Sequence, residues 1–375
     1  MTHFSIEPAR AILDALGSPD TKIKIIHIAG TNGKGSTAEF FTQILIAAGK
    51  SVGTFCSPQV YSYYDQFRIN GKELSPETFQ EYRAQAVLHA QGASGFEIDT
   101  AAAIYAFFKE GCEYAVIECG MGGLNDATNA ILKKELAVIT SISLEHTEYL
   151  GKTLKEICTQ KAGIIKNCPV IINAYQPEEV KKFFKGYKFA DKTDSIFGGG
   201  FIYGGKKFEL SVSGCLQPYN AACAIEGARI LGIDEGAIYK GIKESKPRGR
   251  LERKEAGGKV YILDGAHNPA AFEPLSEYLK RENKNRTIIF GCLGDKNIDG
   301  NLQNLCGQEI IAVKCPSPRT RSAEDVASHC RKFFKDVKKA ESVTEALDTA
   351  DGEEIIVCGS FTLLGEALKW IEKRQ

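Results

Sequence analysis

Ile25-Ile26-His27-Ile28-Ala29-Gly30-Thr31-Asn32-Gly33-Lys34-Gly35-Ser36-Thr37 is the stretch on which the fold turns. A short apolar run with the character of a buried strand leads into three glycines, a lysine and a hydroxyl pair, and Gly35 to Ala48 then reads as a helix. Glycines let the backbone curl so that successive N–H groups can point at phosphate oxygens. The start of the helix adds a favourable dipole, Lys34 a mobile positive charge, and Ser36 or Thr37 a hydroxyl able to ligate Mg²⁺. The spacing differs from the usual P-loop, because Gly35 separates Lys34 from Ser36. A GxGxxG dinucleotide loop is disfavoured, since that motif places no lysine here. The plain alternative is a glycine-rich turn without function, but strand, turn, lysine and helix in this order favour a nucleotide.

Outward from this loop, short apolar runs alternate with helix-like stretches. Lys24 to Ile28, Tyr114 to Glu118, Ala137 to Ser141 and Val170 to Asn173 read as strands. Such alternation predicts an α/β fold whose doubly wound, mostly parallel sheet binds ligands at the carboxyl ends of its strands. Phe197 to Gly214 is glycine-rich and alternating, which suggests a small antiparallel addition, and Asn220 to Leu231 reads as a helix. The basic, proline- and glycine-broken KESKPRGRLER has the texture of a linker. Beyond it, Lys259 to Leu263, Thr287 to Phe290, Glu309 to Val313 and Glu354 to Val357 are again strand-like. Two domains are expected: an ATP-binding 1–245, and a smaller Rossmann-like α/β domain over 246–375.

Composition narrows the function classes. At 375 residues the chain exceeds one ordinary core, and 43% hydrophobic with 25% charged residues is a globular balance. Basic and acidic residues number 47 each, so no basic excess argues for nucleic acid. Apolar stretches are strand-length, which argues against a membrane span, and the opening MTHFSIEPAR has no apolar leader segment. The twelve cysteines are singletons without a CxxC pair, so neither a zinc nor a disulfide framework is indicated; a reducing cytoplasm is expected.

Glu118 closes its strand beside the glycine turn Gly120-Met121-Gly122-Gly123, where a metal–triphosphate would lie; the alternative is a solvated strand-end glutamate. His146, just past the third strand, is by type more often structural than a ligand. Spacing alone makes Lys161 an ordinary surface lysine of the helix before the fourth strand.

GTNGKGST, FCSPQVYSYYDQFRING, FEIDTAAAIYAF, ECGMGGLNDATN, SISLEHTEYLGKTLKEICTQKAGIIK, KPRGRLE, DGAHNPAA and GSFTLLGE occur in the order found in folylpolyglutamate synthases/dihydrofolate synthases, which belong to the Mur ligase superfamily. The chain resembles that family from about residue 7 to 370. The resemblance implies an ATP-dependent ligase joining L-glutamate to a folate-type acid, dihydropteroate or tetrahydrofolate, through an acyl phosphate. It implies that Gly30, Thr31, Asn32, Gly33, Lys34, Gly35, Ser36 and Thr37 hold the ATP phosphates, with Lys34 near the transferred phosphoryl. Ser36, Ser57, Glu118 and His146 would surround two Mg²⁺ ions, and Lys161 would be carried as a carbamate, an anion where an ammonium would repel magnesium. Asn220 would lie on the adenine side, Arg250 would reach the phosphates across a domain cleft, and Asp264 and His267 would contact the nucleotide, with His267 among the catalytic groups. Domain closure and a monomeric state are further implications.

Three departures bear on the acceptor. The family's SPH becomes Ser57-Pro58-Gln59, its ERxR becomes Asp65-Gln66-Phe67-Arg68, and the arginine of GGRLDATN becomes Leu124. These positions are expected on loops facing the acceptor. The other readings are a Mur-type ligase using a non-folate acid, and a P-loop phosphotransferase or NTPase.

Overall fold

Strands that are apolar from end to end belong where both faces of a sheet are covered, and the chain places them there. In the computed structural model, residues 5–375 are described except 192, 194, 198, 282, 283, 295 and 308. Residues 1–4 of the stretch read for a leader therefore lie outside the described residues.

The strands are β1 (Lys24–Ala29), β2 (Val52–Phe55), β3 (Phe67–Ile69), β4 (Lys72–Glu73), β5 (Tyr114–Glu118), β6 (Leu136–Ile139), β7 (Val170–Ile172) and β8 (Lys188–Phe189). They form one sheet in the order β4-β3-β2-β5-β1-β6-β7-β8. All pairs are parallel except β2–β3 and β3–β4. Helices α1 (Glu7–Ala15), α2 (Lys34–Ala47), α3 (Pro76–Val87), α4 (Gly95–Lys109), α5 (Thr147–Leu150), α6 (Leu154–Ala162), α7 (Glu178–Phe183), α8 (Gln217–Ile230) and α9 (Glu235–Glu244) accompany it. The glycine-rich addition is a three-stranded antiparallel sheet of β9 (Ser195–Phe197), β10 (Gly200–Tyr203) and β11 (Lys206–Glu209).

The chain divides into two compact units, but not at a single cut. Gln59–Tyr63 and Val212–Cys215 group with Pro247–Gln375, whereas Tyr64–Ser211 and Leu216–Lys246 group with the residues up to Pro58. The second unit has its own six-stranded sheet, ordered β12-β13-β17-β14-β15-β16, from β12 (Glu252–Ala256), β13 (Lys259–Leu263), β14 (Arg286–Phe290), β15 (Glu309–Val313), β16 (Asp336–Ala340) and β17 (Glu354–Cys358). It is parallel except for β12, which pairs antiparallel with β13. Its helices are α10 (Pro269–Arg281), α11 (Ile298–Leu302), α12 (Ala323–Cys330), α13 (Val343–Thr349) and α14 (Phe361–Glu372).

Two expectations need correction. The linker-like KESKPRGRLER ends inside β12, an edge strand whose charged side chains face outward and so imitate a linker in composition. The Asp65–Arg68 stretch is not a loop facing an acceptor throughout. Phe67 is buried in β3, its ring stacked 5.5 Å from Phe55 and 3.7 Å from Phe79. Arg68 is buried as well, with Nη1 2.6 Å from Glu39 Oε2. Removing one member of such a pair leaves a buried charge without its partner. Arg68→Met is therefore expected to lower the unfolding free energy by about 3–5 kcal/mol, measured by urea denaturation.

Candidate active site

Strand β1 ends at Ala29, and the next four residues turn into α2. The turn is stitched to the segment after β6. Thr31 N donates to Ser141 O at 2.8 Å, Ser143 N to Thr31 Oγ1 at 3.1 Å, and Ser141 Oγ to Asn32 O at 3.1 Å. Gly33 has φ 91°, and a Cβ there would lie 2.3 Å from Asn220 Oδ1 on α8. This position therefore admits only glycine, and it brings Asn220 against the loop. Gly35 answers a different demand, because a Cβ at this position would come within 3.3 Å of Glu118 Oε2.

The pairing of β5 with β1 places Glu118 beside Ile28, next to the start of the loop. Lys34 Nζ donates to Thr31 O at 3.2 Å and lies 3.7 Å from Glu118 Oε1. Lys161 is no surface lysine: it is 3% exposed, and its Nζ donates to Gly30 O at 2.7 Å. Burial, with the neighbouring Lys34 charge, pushes this amine down to about 7. Lys34, Glu118, Lys161, Asn220 and the loop are thus one assembly. His146 is the left-handed residue before α5, and its Nε2 is 3.9 Å from Glu145 Oε1.

The donors suit a hard cation. Glu118 is a buried carboxylate, Ser36 is buried, and Ser57 Oγ is buried with no hydrogen-bond partner among the described residues. No group of three His, Cys, Asp or Glu side chains converges among the described residues. Ser36, Ser57, Glu118 and His146 contain only two of those residue types, and Mg²⁺ completes its shell from water and phosphate oxygens.

Beside this assembly is a cavity of about 460 Å³ lined by Ser57, Gln66, Phe96, Glu97, Met121 and Asp126, among others. Its size is that of a small-molecule pocket. Asp126 accepts from Met121 N at 2.7 Å and Thr128 N at 3.0 Å, and burial raises its carboxyl above the usual range. Of the departures noted in the sequence, Gln66 lines the cavity, and so does Asn125, which neighbours Asp126. Leu124 is 42% exposed and is not part of the lining. Phe96 and Asp126 escaped the sequence reading. Their local signals, the Ser94–Glu97 capping box and an Asp cap two residues before Thr128, mark turns rather than ligands.

In the second unit, Asp264 follows β13 and accepts from Leu251 N and Ala266 N, both at 2.8 Å. Burial raises its carboxyl, and Arg250 opposes that shift. The Arg250 guanidinium lies 4.7 Å from the Phe361 ring centroid, and His267 Nδ1 donates to Gly265 O at 2.8 Å.

The model of the Mur ligase middle domain matches residues 28–225, and that of the Mur ligase glutamate ligase domain matches residues 249–361. The dihydrofolate synthase/folylpolyglutamate synthase of Bacillus subtilis is 32% identical over 367 residues, spanning 86% of this chain and 85% of that protein. The chain belongs to the folylpolyglutamate synthase/dihydrofolate synthase family. A crystal structure of Mycobacterium tuberculosis folylpolyglutamate synthase complexed with ADP and AMPPCP superposes with a TM-score of 0.89 at 29% identity, covering 98% of this chain and 95% of that one. A bifunctional folylpolyglutamate synthase/dihydrofolate synthase with Mn, AMPPNP and L-glutamate bound gives a TM-score of 0.85 at 28% identity, covering 99% and 95%.

Within this family member, one buried polar cluster joins the cavity loop to the helix of Lys161. Asn129 Nδ2 donates to Leu124 O at 3.0 Å and Gly163 O at 3.1 Å. Its Oδ1 accepts from Lys134 Nζ at 2.8 Å, and the same ammonium donates to Ile164 O at 2.9 Å. Burial and the nearby Lys166 charge push Lys134 down to about 7. Asn129→Leu keeps the branching of the side chain but strips partners from two carbonyls and a buried amine. A loss on the order of 3 kcal/mol is expected in denaturant titration.

Proposed function

We propose that the protein joins the amine of L-glutamate to the carboxylate of a pterin-type acid, dihydropteroate or a reduced folate, through an acyl phosphate. One adjacency carries this reading. Glu118 touches Lys34 of the phosphate loop, and the residues just beyond it, Gly120 and Met121, line the cavity. An acid in that cavity has its carboxylate beside the terminal phosphate of a nucleotide on the loop. The relative solved with Mn, AMPPNP and L-glutamate supports the same set of ligands here.

A carboxylate oxygen attacks the γ-phosphorus of ATP and ADP leaves. The glutamate amine then attacks the acyl carbon, phosphate leaves, and one proton is released. Lys34 compensates charge on the transferred phosphoryl, and the amides from Gly30 to Thr37 hold the phosphates. Two Mg²⁺ ions, when bound, supply charge neutralisation, with Ser36, Ser57, Glu118 and His146 as the residues to hold them. Asn220, packed against Gly33, serves the adenine side. In the second unit Arg250 and Asp264 serve as nucleotide-contacting groups, and His267 is assigned a catalytic contact there.

Lys161 is assigned as a carbamate. Its amine reacts with CO₂ to give the carbamate anion and one proton, and only the neutral amine is nucleophilic. With the amine at about 7, the ammonium dominates below that pH and the neutral form above it. Activity is therefore expected to fall when CO₂ is removed and to return with bicarbonate, more readily above about pH 7 than below it. Labelled bicarbonate and NMR of the protein check the adduct directly, and a Lys161→Ala protein should lack both signal and recovery.

The reaction itself is tested by phosphate release from ATP with Mg²⁺ and L-glutamate, with and without dihydropteroate or tetrahydrofolate. Release that requires the pterin acid and yields a glutamylated product is expected, and Lys34→Ala should reduce it by about 10²-fold or more. Release indifferent to either acid, yet lost in Lys34→Ala, would replace the pterin with another acceptor. ATP turnover without any amide product would leave a phosphatase activity only.

A further inference from the structure

We infer that the acceptor is an acid with a single carboxylate, so that the protein adds one glutamate and does not extend a chain of them. The inference rests on the ligase reading above and concerns the charge carried by the cavity walls. Glu97 and Asp126 are the only carboxylic acids among the described lining residues. The remaining polar lining, such as Gln66, Asn125 and Gln160, is neutral, and no lysine or arginine is present among the described residues that line it.

An acid with one carboxylate needs no cation from these walls. Its charge lies at the reacting end, where Lys34 and the metal–triphosphate compensate it. The first glutamate changes this count. The product carries two carboxylates, and only one of them can occupy the reacting position in a second round. The other finds no lysine or arginine among the described lining residues to compensate it, and Glu97 is a like charge that disfavours it.

Gln66 is the wall residue through which this selectivity is built most directly. Its buried side chain belongs to the Asp65–Arg68 segment, and the next cation in that segment, Arg68, is already bound to Glu39 behind the wall. Arg68 is absent from the lining and is not available to a substrate carboxylate. Glu97 reinforces the exclusion: one of its oxygens accepts from Ser94 N at 2.5 Å, which fixes the position of this lining carboxylate.

The experiment uses the whole chain with ATP, Mg²⁺ and L-glutamate. Dihydropteroate is compared with tetrahydrofolate bearing one glutamate and with the same folate bearing two. Products are counted by mass spectrometry. The expected result is a single-glutamate product from dihydropteroate, with kcat/KM lower by about tenfold or more for each folate. Glu97→Gln, which keeps an acceptor oxygen for Ser94 N, should move the ratio toward the folates, and Gln66→Arg should move it further if that protein folds. Equal kcat/KM for the three acids, or a ladder of products with two or more added glutamates, overturns the inference and leaves the ligase reading standing. Absence of glutamylation on all three acids overturns the ligase reading, and this inference with it.

Discussion

Parallel pairing of β1 between β5 and β6 is the constraint from which the first unit's chemistry follows. The register sets Ile28 against Glu118 on one side and against Val138 on the other. The three strands thus finish at the same edge, and their following segments must share the space beyond it. A carboxylate, a phosphate loop and the Ser141–Ser143 anchor meet there because the backbone ladder leaves them nowhere else to go. One residue of slip in β5 would turn Glu118 to the opposite face of the sheet.

Hydrophobic packing alone does not shape the segments beyond that edge. They are tied down by side chains that donate to main-chain carbonyls, which would otherwise be buried without partners. Lys161 serves Gly30, Lys134 serves Ile164, and Lys166 serves Asn129 and Ile131 at 2.8 Å each. Lysine is an unusual choice for such work, since burial disfavours its charge. In exchange it offers three donors on a long stem, enough to reach from one segment to the next.

What could be read from the sequence follows from how local each feature is. The strands Tyr114–Glu118 and Glu354–Cys358 are legible because a strand covered on both faces must be apolar throughout. β12 and β16, with the sequences ERKEA and DVKKA, are edge strands with exposed charges, and nothing in their composition separates them from a linker. The phosphate loop is legible for the same reason of locality, since strand, glycines, lysine and helix are contiguous. The cavity is not, because Ser57, Phe96 and Asp126 come from separate segments that only the fold assembles. Lys161 illustrates the difference most sharply. Its spacing describes a solvated helix face, and its burial is decided by a carbonyl in the phosphate loop.

The contact between Gly33 and Asn220 has a consequence for how this chain can vary. Gly33 is fixed by two unrelated demands: its left-handed backbone, and the amide of Asn220 in the volume a methyl group would need. Shortening Asn220 would relieve the second demand and leave the first, which alone costs about 1–2 kcal/mol for a residue with a side chain. In genetic terms, no single compensating substitution at position 220 can fully suppress a replacement at position 33, so the glycine stays fixed whatever the helix carries opposite it.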